Sequence, residues 1–175
     1  MAEQASVVRT GETQTKDLMK GGKYLTFQLG KEVYGLEILK VQEIIGMMSV
    51  TRIPKTPEFI RGVINLRGKV ISIIELRRKF GMETKEDTEK TCIVVVQVGE
   101  NSHQITMGTV VDEVSEVLEI STNQMEPPPK FGGNAKIDFI LGIGKVGQKV
   151  VMLLDIDKVL TNRDMDLVDQ ASQRS

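Results

Sequence analysis

Apolar positions recur along this chain in short, dense runs and not in long helical stripes. YLTFQL (24–29), VISIIEL (70–76), CIVVVQV (92–98), VSEVLEI (114–120) and KVVMLLDI (149–156) are rich in Val and Ile and lie close to Gly, Pro, Asn or Asp. That cadence predicts many short strands and an all-β fold. A charged connector, KEDTEK (85–90), and a Pro/Gly-rich loop that cannot continue a strand or helix, MEPPPKFGGNAK (125–136), together cut the chain roughly into three pieces. Residues 1–22 are polar, without periodicity, and closed by Gly21-Gly22, the pattern of a flexible N-terminal tail. Residues 161–175 are again polar, with Met165, Leu167 and Val168 sparse, so a short docked helix and a tail both remain open.

The pattern repeats. Phe59, Ile60, Gly62, Lys69, Val70 and Glu75 align with Phe139, Ile140, Gly142, Lys149, Val150 and Asp155 at one fixed offset of 80 residues. Gln28-Leu29-Gly30 matches Gln97-Val98-Gly99 at 69, and Gly35, Val41, Glu43 and Ile44 match Gly108, Val114, Glu116 and Val117 at 73. The four-residue difference falls after Gly99, where GENSHQ replaces GKE; loops tolerate such insertions. Each unit carries about five strands, enough for a small closed or nearly closed barrel filled by Val, Ile and Leu. Two β-barrels built from an internal duplication are expected.

Positions where the two copies differ are not demanded by the shared fold. In FIRGVINLRGKVISIIEL (59–76), Asn65 and Arg67 stand where the second copy has Lys145 and Gly147. The bland reading is a surface arginine covering apolar neighbours with its stem. The alternative is a tight turn, with Gly68 at positive φ presenting the guanidinium from a rigid support and Glu43 of EILKVQEII as the carboxylate that fixes it.

Charge and composition remove other chemistries. Lys plus Arg number 23 against 24 Asp plus Glu, a net charge of −1, so no general field steers the protein onto nucleic acid or an anionic membrane. Trp is absent, with 2 Tyr and 5 Phe, which leaves few rings on which a nucleic-acid-binding barrel could stack bases; LRRKF (76–80) and KGGK (20–23) read as solvated faces. A single Cys92 and a single His103, the latter in the polar turn ENSHQ, exclude a disulfide framework and disfavour a zinc site or nucleophile pair. FGGNAK lacks phosphate-loop spacing. No enzyme, cofactor or metal is expected. The first thirty residues hold no apolar run of signal-peptide length and no apolar run spans a bilayer, so a cytoplasmic setting is expected.

YLTFQLG, EVYGLEILKVQEI, TRIP, FIRGVINLRGKV, IIELRRKFG and GTVVDEVSEVLEI, in that order, closely resemble the CheW family of bacterial chemotaxis coupling proteins over residues 22–160. The resemblance implies two five-stranded, SH3/OB-like barrels with exchanged halves: residues 23–62 with 136–160 in one, 63–135 in the other, and short helices at connections and the C-terminus. It implies a non-catalytic adaptor bridging the cytoplasmic tips of chemoreceptors to the regulatory domain of the histidine kinase CheA, monomeric in isolation and recruited to membrane-associated arrays. Carried over by motif, the receptor-binding residues are Val41, Glu43, Ile44, Asn65 and Arg67, and the kinase-binding residues are Cys92, Val114 and Phe131. Two departures stand out: Ser72 and Glu75 replace the proline and aspartate usual in VISIIEL, and Cys92 is smaller than the usual aliphatic. A CheW-like scaffold in another pathway, such as twitching motility, and a nucleic-acid-binding barrel remain alternatives.

Overall fold

The computed structural model describes residues 21–99, 104–128 and 138–173, so His103, Phe131 and the tail up to residue 20 lie outside the described residues. The strands are β1 (Gly22–Leu29), β2 (Glu32–Glu37), β3 (Val41–Gly46), β4 (Ile60–Leu66), β5 (Lys69–Glu75), β6 (Cys92–Val98), β7 (Ile105–Val111), β8 (Glu113–Ile120), β9 (Met125–Glu126), β10 (Ile140–Val146) and β11 (Lys149–Leu154). Among the described residues three α-helices complete them: α1 (Leu76–Lys79), α2 (Ile156–Val159) and α3 (Asn162–Gln173). The chain is all-β, as the short apolar runs predict, with the C-terminal stretch helical.

The strands form two sheets, ordered β8-β1-β2-β11-β10-β9 and β3-β6-β7-β5-β4. Replacing each strand by its repeat partner turns one order into the other, apart from the two-residue β9. Local detail repeats as well: both the β4–β5 and the β10–β11 hairpins shift register, at Ile60/Gly62 and Ile140/Gly142. The parallel pairs Gly35↔Leu153 and Gly108↔Ile73 correspond at the same offsets. In each sheet the run after the third strand turns back onto the fourth: β9 pairs with β10, and Thr51 bridges Val63. Gly62 permits that approach, because a Cβ there would lie 2.2 Å from the Thr51 carbonyl oxygen.

The halves are exchanged, but at a different point from the sequence boundaries. The first copy contributes only β1 and β2 to the six-stranded sheet; β3 and the start of β4, placed in the first unit by the 23–62 boundary, belong to the five-stranded sheet. Conversely β8 and β9, within 63–135, join the six-stranded sheet. The chain crosses over after the second strand of each copy, where β2 pairs in parallel with β11 and β7 with β5.

Burial follows strand register. In β6, Ile93 and Val95 fill the interior of the five-stranded sheet with Ile64, Ile71, Ile73 and Val110, whereas Val94, Val96 and Val98 face a core between the two sheets. This two-sided burial explains the unbroken apolar run CIVVVQV. Tyr24, Ile120, Met125, Val151 and Leu153 fill the corresponding interior of the other sheet. Between the sheets, Phe27, Tyr34, Phe80 and Phe139 stack in a row with successive centroid distances of 5.9, 5.7 and 4.9 Å. Helix α3 closes this core through Val168 and Ala171, and the Ser72 hydroxyl donates to the Val168 carbonyl at 2.6 Å.

Candidate functional site

Strand β3 lies at one end of the five-stranded order, and a bulge between Val41 and Glu43 sets which side chains it presents. Val41 stands opposite Val96 and Ile44 opposite Val94, both facing the inter-sheet core, so the extra residue puts Val41 and Ile44 on one face. Val41 is half-buried against that core and Ile44 is exposed. Glu43 stands opposite Val95, on the face that packs with Ile64, Ile71, Ile73, Ile93 and Val110 of the five-stranded sheet.

Arg67 meets Glu43 there. Its Nη2 donates to Glu43 Oε2, the arginine side chain 70% exposed and the glutamate 29%. The other carboxylate oxygen, Glu43 Oε1, is buried without a hydrogen-bond partner among the described residues. The backbone explains the placement. Leu66 pairs with Lys69, so Arg67 and Gly68 form a two-residue hairpin loop, with φ of 51° and 87°. Positive φ at both positions is the signature of a turn that normally selects Asn-Gly or Gly-Gly. Asn65 supports it, its Oδ1 accepting from the Gly68 N–H at 2.9 Å. Gly147, the equivalent of Arg67, also has positive φ, 63°. The left-handed backbone therefore belongs to the fold, and a side chain at that point belongs to the first copy alone.

The second copy carries a looser version of the ion pair: Lys149 Nζ lies 3.6 Å from Glu116 Oε1, with both side chains more than half exposed. The receptor-binding candidates thus divide into an apolar pair, Val41 and Ile44, and a polar rim in which Asn65 shapes the turn that brings Arg67 to Glu43.

The kinase-binding candidates sit at the joint between the sheets. Cys92 opens β6, opposite Gly46 and Val111, in the five-stranded sheet. Val114 stands opposite Phe27 in the six-stranded sheet, so the two do not share one subdomain as the sequence boundaries imply. Both pack half-buried against the inter-sheet core, and Lys90 and Glu113, close to each in sequence, approach to 3.9 Å. Phe131 lies outside the described residues.

The sequence reading missed three features. Leu39, on the 3-10 turn Ile38–Lys40, is 93% exposed and borders a cavity of about 520 Å³ walled by Tyr24, Ile38, Leu141, Leu154 and Ile156. In LRRKF, Leu76 and Arg77 are buried, not solvated. Arg77 donates from Nε and Nη2 to the two carboxylate oxygens of Asp112 and from Nη1 to the Glu83 carbonyl; Asp112 also accepts from the Gly30 N–H at 2.8 Å. Burial pushes the Asp112 carboxyl up, but the Arg77 and Gly30 hydrogen bonds and the Arg77 charge outweigh it and hold the group below its ordinary value. The signal was the aspartate of VVDEV, placed directly after an apolar strand. The third feature is a smaller charge pair, Lys40 with Asp157, at 2.8 Å.

Among the described residues no cluster of His, Cys, Asp and Glu is arranged to hold a metal ion, and no helix is long and apolar enough to cross a membrane. A family model described as a CheW-like domain matches residues 23–164. The sequence is 42% identical over 153 residues to the chemotaxis protein CheW of Klebsiella aerogenes, covering 87% of this chain and 90% of that one. It is 30% identical over 152 residues to the chemotaxis protein CheW of Rhizobium meliloti, covering 86% and 96%. Among solved structures, the scaffolding protein TtCheW of Thermoanaerobacter tengcongensis superposes with a TM-score of 0.71 at 36% identity, over 81% of this chain and 90% of that chain.

Proposed function

The chain belongs to the CheW family, and on that premise we propose that it is a non-catalytic adaptor which couples the cytoplasmic tips of chemoreceptors to the regulatory domain of the histidine kinase CheA. In this reading it acts in the cytoplasm, at membrane-associated receptor arrays. The observation that carries it is the difference between the two copies at one place in the fold. The hairpin position that holds Gly147 in the second copy holds an exposed Arg67 in the first, paired with Glu43, the residue before the exposed Ile44. A fold with no need of that side chain presents it, on a left-handed turn, at the rim of an apolar strand edge.

A receptor tip is a helical hairpin, and an amphipathic helix reads such a surface through apolar anchors with a charged contact at the edge. Val41 and Ile44 supply the first and Arg67 the second. Cys92 and Val114 supply a separate apolar patch for the kinase. Two modest interfaces on one rigid body give coupling by effective concentration, so neither contact alone has to be tight.

Co-sedimentation tests the reading. The purified protein should bring the kinase regulatory domain down with membranes carrying a chemoreceptor, and Ile44→Asp should release both from the membrane while leaving the kinase contact intact in solution. Failure of the unmodified protein to bind either partner refutes the adaptor role.

A further inference from the structure

Each copy of the repeat crosses from one sheet to the other after its second strand, and both crossovers are fastened by an acid–base pair that also takes a turn amide. Where β7 passes into β8, Asp112 receives Arg77 of α1 and the Gly30 N–H at 2.8 Å. Where β2 passes into β3, Lys40 meets Asp157 of α2 at 2.8 Å, and Asp157 Oδ1 accepts the Gly99 N–H at 2.9 Å. Gly30 and Gly99 are repeat equivalents, and so are Arg77 and Asp157. The plan is the same and the polarity reversed: the helix supplies the base at one crossover and the acid at the other.

The two clasps differ in burial. Arg77 and Asp112 side chains are 10% and 12% exposed, Lys40 and Asp157 33% and 26%. The first is a desolvated bidentate pair and the second a single contact at the surface, which water and salt weaken more readily. Lys40 directly precedes Val41, and the 3-10 turn that carries it holds no fully buried residue to pin it to a core.

We propose that Lys40 and Asp157 are positioning residues for the β3 partner surface: their ion pair, with the Gly99 amide behind it, fixes the crossover that sets where Val41 and Ile44 stand. This rests on the adaptor reading, which assigns β3 to the receptor. The pair acts through β3 and not by touching the partner. Val114, beyond the other crossover, is held by Arg77–Asp112 and is independent of it.

The experiment uses the full chain with Lys40→Met and, separately, Asp157→Asn, which removes the charge but keeps an acceptor for Gly99. Calorimetry against a receptor cytoplasmic fragment and against the kinase regulatory domain is combined with hydrogen exchange of the free protein. Both variants should weaken receptor-fragment binding about ten-fold, leave the kinase-domain affinity within about two-fold, and speed exchange in 41–46 but not in 113–120. Unchanged receptor affinity overturns the proposal. So does equal loss of both partners, which means general loosening, or loss in Lys40→Met alone, which means direct contact. If the unmodified protein binds neither partner, the adaptor reading fails by itself and exchange decides: acceleration confined to 41–46 retains the clasp, and uniform or absent acceleration removes it.

Discussion

Replacing Arg67 by glycine separates anchoring from fastening, because the two roles predict opposite balances. Arg67 holds φ at 51°, a conformation that costs an L-residue about 1–2 kcal/mol and costs glycine nothing. The substitution recovers that strain but adds about 0.5–1 kcal/mol of chain entropy to the unfolded state. It also removes an ion pair whose arginine is 70% exposed, worth about 0–1 kcal/mol. Glu43, 29% exposed, then loses its counter-charge, a cost that its partial hydration keeps within the same range. The sum lies within about 1 kcal/mol of zero, since Asn65 and Gly68 still form the turn. Receptor binding should nevertheless weaken by about 2 kcal/mol or more, the cost of losing a charged anchor. Chemical denaturation and calorimetry with a receptor fragment read the two quantities on the same preparation. Destabilisation by more than about 2 kcal/mol, with binding falling only as the folded fraction falls, makes Arg67 a fastener between β3 and the hairpin and refutes the anchor.

Val114→Asp, on the half-buried β8 position, should place an unpaired charge in the kinase interface, lowering kinase-domain affinity while receptor binding persists; equal affinity in calorimetry removes Val114 from that interface. Asp112→Asn should destabilise the protein by about 3 kcal/mol in denaturant titration, since it leaves the Arg77 guanidinium buried without its counter-charge. The same pair sets an acid dependence. The folded Asp112 carboxyl titrates below its unfolded value, so its stabilisation is full above about pH 4 and is lost as pH falls through the depressed folded value. Asp155 and Glu75, pushed up mainly by burial, act in the opposite sense and gain stability on protonation as pH falls between their folded and unfolded values. Asp112→Asn should therefore flatten the acid-side loss, and an unchanged slope would assign that loss elsewhere. Ser72→Ala removes the buried hydroxyl bond to Val168 and should cost about 1 kcal/mol, with faster amide exchange in α3; unchanged exchange means the helix is held by its apolar face alone.

The strands, the duplication and the divergence of Arg67 were legible in the sequence because each depends on local pattern or on comparison of one copy with the other, whereas its pairing with Glu43 stood there only as one of two open readings. Alternation and β-branched runs identify a strand wherever it ends up, and the divergence of Asn65 and Arg67 from Lys145 and Gly147 marks a place the fold leaves free. Which copy a strand joins was not legible in the same way. β3 and β8 carry equivalent patterns and stand opposite equivalent strands, β6 and β1, so either pairing satisfies the pattern. The chain crosses after β2 and after β7, and only the assembled sheets show that β3 lies beside β6 and Val114 beside Phe27. The crossover clasps follow from that choice. Arg77 and Asp112 are 35 residues apart and Lys40 and Asp157 are 117 apart, and no local rule joins them. A charge reads as solvated from its neighbours in sequence; folding alone decided that Arg77 is desolvated, because the sheet that buries it is completed by strands from the other copy.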